Sequence, residues 1–137
     1  MQISKVHIKN FRCILDREVE LGGLTTLVGP NGSGKSAVLR AIDLFYQTKN
    51  IVTQEDFYNR DMSQNIEVAL TFKDLSEEEQ QLYSKYVCDG ALTVTKVIGD
   101  GPEKYHGSLL QNPDFVVPEL QQIIESIRRI SQNNVTK

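Results

Sequence analysis

The sequence predicts an α/β fold in which an antiparallel β layer lies beside one buried strand and the helix that follows it. Three features carry that expectation. Apolar and polar residues alternate in several short segments, as half-buried strands require. Residues 24–28 are short, β-branched and uncharged, as a strand covered on both faces requires. Between that strand and a helical pattern stands Gly29-Pro30-Asn31-Gly32-Ser33-Gly34-Lys35-Ser36, a complete G-x-x-x-x-G-K-[ST] loop.

The elements follow in order. Val6 and Ile8 alternate with Lys5, His7 and Lys9, which reads as a half-buried strand ended by Asn10-Phe11-Arg12-Cys13. Val19 and Leu21 alternate with Glu18 and Glu20 in a second such strand, and Gly22-Gly23 turns into the buried strand. Residues 36–47 predict a helix. Val38, Ile42 and Phe45 repeat at helical spacing, and Leu39, Ala41 and Leu44 widen the apolar face. Residues 48–64 are polar and read as a long connection with a helical turn.

Ile66, Val68, Leu70 and Phe72 give the clearest alternating strand, expected to be antiparallel with one wet face. Ser76-Glu77-Glu78-Glu79 is a capping box that opens a helix predicted to reach about Val87, where Asp89-Gly90 stops it. Residues 91–98 form another strand, Asp100-Gly101-Pro102 turns it, and Lys104-Tyr105-His106 pairs back. After a turn at Asn112-Pro113-Asp114, residues 119–131 predict a last helix with Leu120, Ile123, Ile124, Ile127 and Ile130 on one face.

The loop carries the chemistry. Glycines let the backbone take positive φ and approach an anion without a Cβ in the way. The turned backbone aims N–H groups inward as a nest, and the helix behind it adds its positive N-terminal end. In such a loop Gly29, Asn31, Gly32, Ser33 and Gly34 line the phosphates. Lys35 reaches the outer phosphates and the Ser36 hydroxyl ligates Mg²⁺. The expected ligand is ATP with Mg²⁺.

Composition bounds the rest. The chain has 137 residues, 39% hydrophobic and 24% charged, enough for one domain of ordinary soluble type. No apolar run is long enough to span a bilayer, and Lys5, His7, Lys9 and Arg12 interrupt any signal-peptide core. Cys13 and Cys88 lack metal-ligand spacing and read as reduced thiols of a cytoplasmic protein. The charge is uneven: residues 1–50 carry a balance of +3 and residues 51–137 one of −6. Phosphate binding accounts for the basic half without nucleic acid.

Two things are missing. An ATPase of this kind needs an aspartate at the end of a second buried strand, the Walker B acid, and a group that places the attacking water. The nearest match, Val97-Ile98-Gly99-Asp100, is too short, and its acid sits in turn chemistry. A parallel nucleotide-binding sheet also needs more than one buried strand. The chain therefore reads as an incomplete domain over residues 1–137: a piece cut from a longer protein, a truncated gene product or one part of a split protein. The absence of Asn-Lys-x-Asp disfavours GTP.

Ile8-Lys9-Asn10-Phe11-Arg12, the loop spelling and Val38-Leu39-Arg40-Ala41-Ile42 together resemble the N-terminal lobe of an ABC-type ATPase head of the SMC/RecF class. Glu55-Asp56-Phe57 and the strand leading into Lys73-Asp74-Leu75-Ser76 are similar to the OLD family (overcoming lysogenization defect) of ATP-dependent endonucleases. The resemblance implies a P-loop NTPase head that forms a homodimer around ATP and is coupled, through regions outside these residues, to a nuclease domain and DNA. It implies that Arg12 lies near the nucleotide phosphates, and it offers Gln54 as the Q-loop residue by position alone. A non-catalytic module that pairs with an intact ATPase is the alternative reading.

Other residues carry weaker signals. His7 sits on a polar face and reads as solvated, and His106 lacks acidic or cysteine partners. Glu77, Glu78 and Glu79 suit a helix N-terminus. Tyr58-Asn59-Arg60-Asp61 reads as a polar loop.

Overall fold

The computed structural model describes residues 1–22, 34–47 and 52–99, together with the strand at 104–107. Its strands are β1 (Gln2–Phe11), β2 (Ile14–Glu20), β3 (Ile66–Lys73), β4 (Val87–Cys88), β5 (Ala91–Ile98) and β6 (Lys104–Gly107). Its helices are α1 (Lys35–Tyr46) and α2 (Glu77–Leu82). The expected strand at 24–28, the turns at 100–102 and 112–114 and the helix at 119–131 lie outside the described residues.

One sheet runs in the order β2-β1-β3-β5-β4, and β6 pairs with the far end of β5. Every pairing among the described residues is antiparallel. The alternation predicts this layer well. Val6 and Ile8 of β1, Ile66, Val68, Leu70 and Phe72 of β3, and Leu92, Val94 and Ile98 of β5 are buried on one face. The opposite face keeps residues such as His7, Glu67 and Thr93 half-buried.

Helix α1 lies on the apolar face. Ala37, Val38, Ala41, Leu44 and Phe45 join the strand residues in a single core cluster, with Ile42 and Tyr46 partly buried against it. Burying Phe45 fully removes a large apolar side chain from water, a gain of about 1.5–3 kcal/mol. Burial also pushes the Tyr46 hydroxyl up to about 12. Leu39 departs from expectation. It is 60% exposed, because the buried stripe runs along Val38, Ala41 and Phe45 and leaves Leu39 on the outer side.

The far end of α1 is closed by a residue the helix does not contain. Lys96 of β5 is fully buried, on the inward register with Leu92, Val94 and Ile98. Its Nζ donates to the carbonyl oxygens of Leu44 at 2.9 Å and Gln47 at 2.7 Å. The last carbonyls of a helix lack partners within it, and a cation there also opposes the negative end of the dipole. The last turn of α1 holds no basic residue of its own, so β5 supplies one.

Helix α2 forms as its capping box predicts. Ser76 Oγ accepts from the Glu79 amide at 3.2 Å, and Glu79 Oε2 accepts from the Ser76 amide at 2.8 Å. The helix ends earlier than expected, at Leu82 rather than near Val87. Tyr83 and Tyr86 are buried, and the chain turns between them so that Val87 pairs with Leu92. Asp89 and Gly90 both take positive φ, 51° and 74°, which makes them a two-residue hairpin turn of type I′ rather than a helix stop.

On the polar face, His7 of β1 bonds to Asp16 of β2 at 2.5 Å. That bond holds the Asp16 carboxyl below its ordinary value of 3.8.

Substituting Lys96→Met leaves two helix-end carbonyls without their donor. The variant should lose about 1–3 kcal/mol of stability in chemical denaturation, the usual cost of stranding buried polar groups. Unchanged stability would show that α1 does not rely on this cap.

Candidate nucleotide site

The start of α1 meets the turn between β1 and β2. That hairpin pairs Phe11 with Ile14 and leaves Arg12 and Cys13 at its tip. Asn10 and Arg12 both take left-handed backbone, with φ of 57° and 52°. Asparagine tolerates this conformation, but arginine adopts it at a cost of about 1–2 kcal/mol. Asn10 is buried and its Nδ2 donates to the Gln64 carbonyl at 2.7 Å, which helps hold the turn.

Gly34 precedes the first helical residue with φ 97° and ψ 6°. Its carbonyl accepts from the Val38 amide at 3.0 Å. A Cβ placed on it would lie 3.5 Å from Cys13 Sγ and 3.7 Å from Ile14 Cγ1. The glycine therefore seats directly against the hairpin tip. Lys35 is half-buried and Ser36 lies beside it in the first turn of α1. Gly29, Asn31, Gly32 and Ser33 lie outside the described residues.

A third piece closes against the same tip. Segment 53–60 forms two 3₁₀ turns, Gln54–Asp56 and Tyr58–Arg60. Phe57 is buried and bridges to Phe11, and the Arg12 amide donates to the Asp56 carbonyl at 2.7 Å. Arg12 Nε also donates to Asp56 Oδ1 at 3.2 Å. The guanidinium lies 5.4 Å from the centre of the Phe11 ring. Together the tip and the segment line a cleft of about 660 Å³ that includes Arg12, Cys13, Asp56, Asn59 and Arg60. That volume falls within the range of small-molecule sites.

The structure thus brings Cys13 and Ile14 beside Gly34, far apart as they are in the chain, with Arg12 next to Cys13 at the tip. Gln54 does not join them. It is exposed, and its amide donates to the Arg60 carbonyl at 3.3 Å, bracing the segment instead. The Ile98–Gly99 end of β5 belongs to an antiparallel strand, not to a parallel sheet, which agrees with reading it as a strand-to-turn boundary. Asp100 lies outside the described residues. Among the described residues no cluster of three His, Cys, Asp or Glu side chains could hold a metal ion. Both cysteines are free thiols.

Asp56 is the site residue that the sequence pattern does not reveal. Its link to Arg12 spans 44 positions, and no periodicity marks it. The sequence signals are its place in Glu55-Asp56-Phe57 and the Thr53-x-x-Asp56 capping spacing, and neither points to Arg12.

An antiparallel sheet backed by a helix that starts at a Gly-Lys-Ser sequence and a left-handed glycine is consistent with an ATPase-type α/β domain. Similarity to known proteins agrees. The chain belongs to the family of the AAA ATPase domain, whose model matches residues 1–134. An OLD nuclease of Thermus scotoductus is 40% identical over 75 residues, 51% of this chain and 14% of that protein. The Old nuclease of Escherichia phage P2 is 28% identical over 102 residues, 70% of this chain and 17% of that protein. The DNA replication and repair protein RecF of Shewanella loihica is 46% identical over 43 residues, 31% of this chain and 12% of that protein. The resemblance to the N-terminal part of OLD-family, ABC-type ATPases is borne out. Each match takes in less than a fifth of the relative's own length. No helix among the described residues is long and apolar enough to cross a membrane.

Replacing Gly34 by alanine tests what this position demands. The new Cβ would meet Cys13 at ordinary van der Waals distance, so the cost comes from the positive φ, about 1–2 kcal/mol. Denaturant titration should show that loss for Gly34→Ala, and Cys13→Ala should not restore it. Rescue by Cys13→Ala would mean crowding, not backbone conformation, selects glycine here.

Proposed function

We propose that this chain is the ATP- and Mg²⁺-binding lobe of an OLD-like ABC ATPase. In the full protein this lobe couples ATP binding and hydrolysis to cleavage of DNA, and the head works as a homodimer. The observation that carries the reading is the junction at Gly34. There the G-x-x-x-x-G-K-[ST] sequence runs into a helix through a left-handed glycine, beside a hairpin tip that bears an arginine. Family membership and the nuclease relatives support it.

The roles follow from chemistry. Main-chain amides of the loop hold the phosphates of ATP, and the ammonium of Lys35 neutralises the outer ones. The Ser36 hydroxyl, in the first turn of α1, would hold Mg²⁺ together with phosphate oxygens. The described residues fit that division, because they supply a hydroxyl in the first turn of the helix, next to Lys35. The magnesium ion would supply charge neutralisation at the β- and γ-oxygens. Arg12 adds a planar cation to the same wall.

Turnover needs more. The acid that activates water and the signature motif from a second subunit are not found in these 137 residues. On this reading the chain alone binds MgATP weakly and hydrolyses it negligibly, as an incomplete domain would.

Isothermal titration of the folded chain with MgATP should show saturable heat, and Lys35→Ala should weaken binding by about 1.5–3 kcal/mol, the range for charge-assisted hydrogen bonds. No heat from the folded wild-type chain would refute the nucleotide site. Robust hydrolysis by the purified chain, abolished in Lys35→Ala, would refute its incompleteness.

A further inference from the structure

We infer that Asp56 is a positioning residue for the nucleotide site: it fixes the Arg12 guanidinium so that its terminal amines face the bound anion. This role rests on the nucleotide reading above and goes beyond it. An isolated exposed arginine loses rotamer entropy on binding an anion. Any contact that orders it beforehand removes part of that cost.

The contacts around Asp56 do this in a particular way. Its Oδ1 accepts from Arg12 Nε at 3.2 Å. Its Oδ2 accepts from the Thr53 amide at 2.9 Å, closing the capping box of the first 3₁₀ turn. Among the described residues only the Nε–Oδ1 contact links the two groups, so the carboxylate does not form a two-point fork with the guanidinium. The pair is held at one point, on the Nε side. A guanidinium carries five N–H donors. Asp56 uses one, and among the described residues the terminal amines of Arg12 have no hydrogen-bond partner.

Burial sets which partner is the anchor. The Asp56 side chain is 17% exposed, and that of Arg12 is 37% exposed. The carboxylate is also tied through its own backbone, whose carbonyl accepts from the Arg12 amide at 2.7 Å. Phe57, the next residue, is buried against Phe11, and the Phe11 ring flanks the guanidinium. Arg12 is thus held at amide, Nε and ring face, and it lines the cleft at the hairpin tip, where the next residue, Cys13, meets Gly34. The terminal N–H groups of a guanidinium match the oxygens of a phosphate.

A double-mutant cycle on MgATP binding, read by calorimetry, tests the role. Asp56→Ala should weaken MgATP binding by about tenfold in the wild-type background, the scale of a charge-assisted contact. The same change should have no effect in an Arg12→Ala background, because the group it positions is gone. Asp56→Asn keeps an oxygen acceptor for Nε and should recover part of the affinity. It also guards against misfolding in the alanine variant. A purely structural role predicts equal losses in both backgrounds and would overturn the inference, as would wild-type affinity in Asp56→Ala. If the folded wild-type chain binds no MgATP, the nucleotide reading fails and this inference with it. If it binds and Lys35→Ala does not, while Asp56 variants bind normally, only the positioning role fails.

Discussion

Lys96 Nζ donates to the Leu44 and Gln47 carbonyls at one end of α1, and at the other end Gly34 seats against Cys13 and Ile14. Between these ties the apolar stripe of the helix is pressed onto β1 and β3. The position of Lys35 and Ser36 depends on all three contacts. A helix of 12 residues is about 18 Å long, so a tilt of about 5° at its far end moves its first turn by about 1.5 Å. Misplacement on that scale is enough to spoil an electrostatic site. The antiparallel layer is therefore the frame that aims the Gly34–Ser36 end of the helix.

The same layer brings distant parts of the chain to one place. The tip of the β1–β2 hairpin stands beside Gly34, and segment 53–60 is stitched to that tip by Phe57, by the Asp56 carbonyl and by the Asp56 carboxylate. Arg12 meets this geometry with a left-handed backbone that arginine rarely adopts. Strain of this kind persists only where surrounding contacts hold it. Here they are the buried Asn10, the Phe11–Phe57 bridge and the Asp56 pair.

Much of the frame is legible in the sequence because it rests on local periodicity. Alternation marks β1, β2, β3 and β5, helical spacing marks α1, and the capping box marks the start of α2. The end of α2 is not marked so clearly, because Asp89-Gly90 suits a helix stop as well as a turn. Flanked by Val87-Cys88 and Ala91-Leu92, the same two residues also spell a hairpin, and burial of Tyr83 and Tyr86 favours it. Lys96 looks like an ordinary strand charge. Its parity with Leu92, Val94 and Ile98 nevertheless places it on the inward face, and an inward lysine must find acceptors. The Arg12–Asp56 pair leaves no trace in pattern, since it depends on how a 3₁₀ turn docks across the hairpin. Of the phosphate loop itself, only Gly34, Lys35 and Ser36 fall within the described residues.

Backbone amide NMR with added MgATP reads the junction between helix start and hairpin tip residue by residue. Gly34, Lys35 and Ser36 are expected to shift together with Arg12 and Cys13, because these two pieces form one wall. The amides of α2 and of the Val87–Cys88 hairpin should stay unmoved. A folded chain whose Gly34–Ser36 and Arg12–Cys13 signals stay still, or which responds only elsewhere in the sheet, would show that the wall does not bind nucleotide.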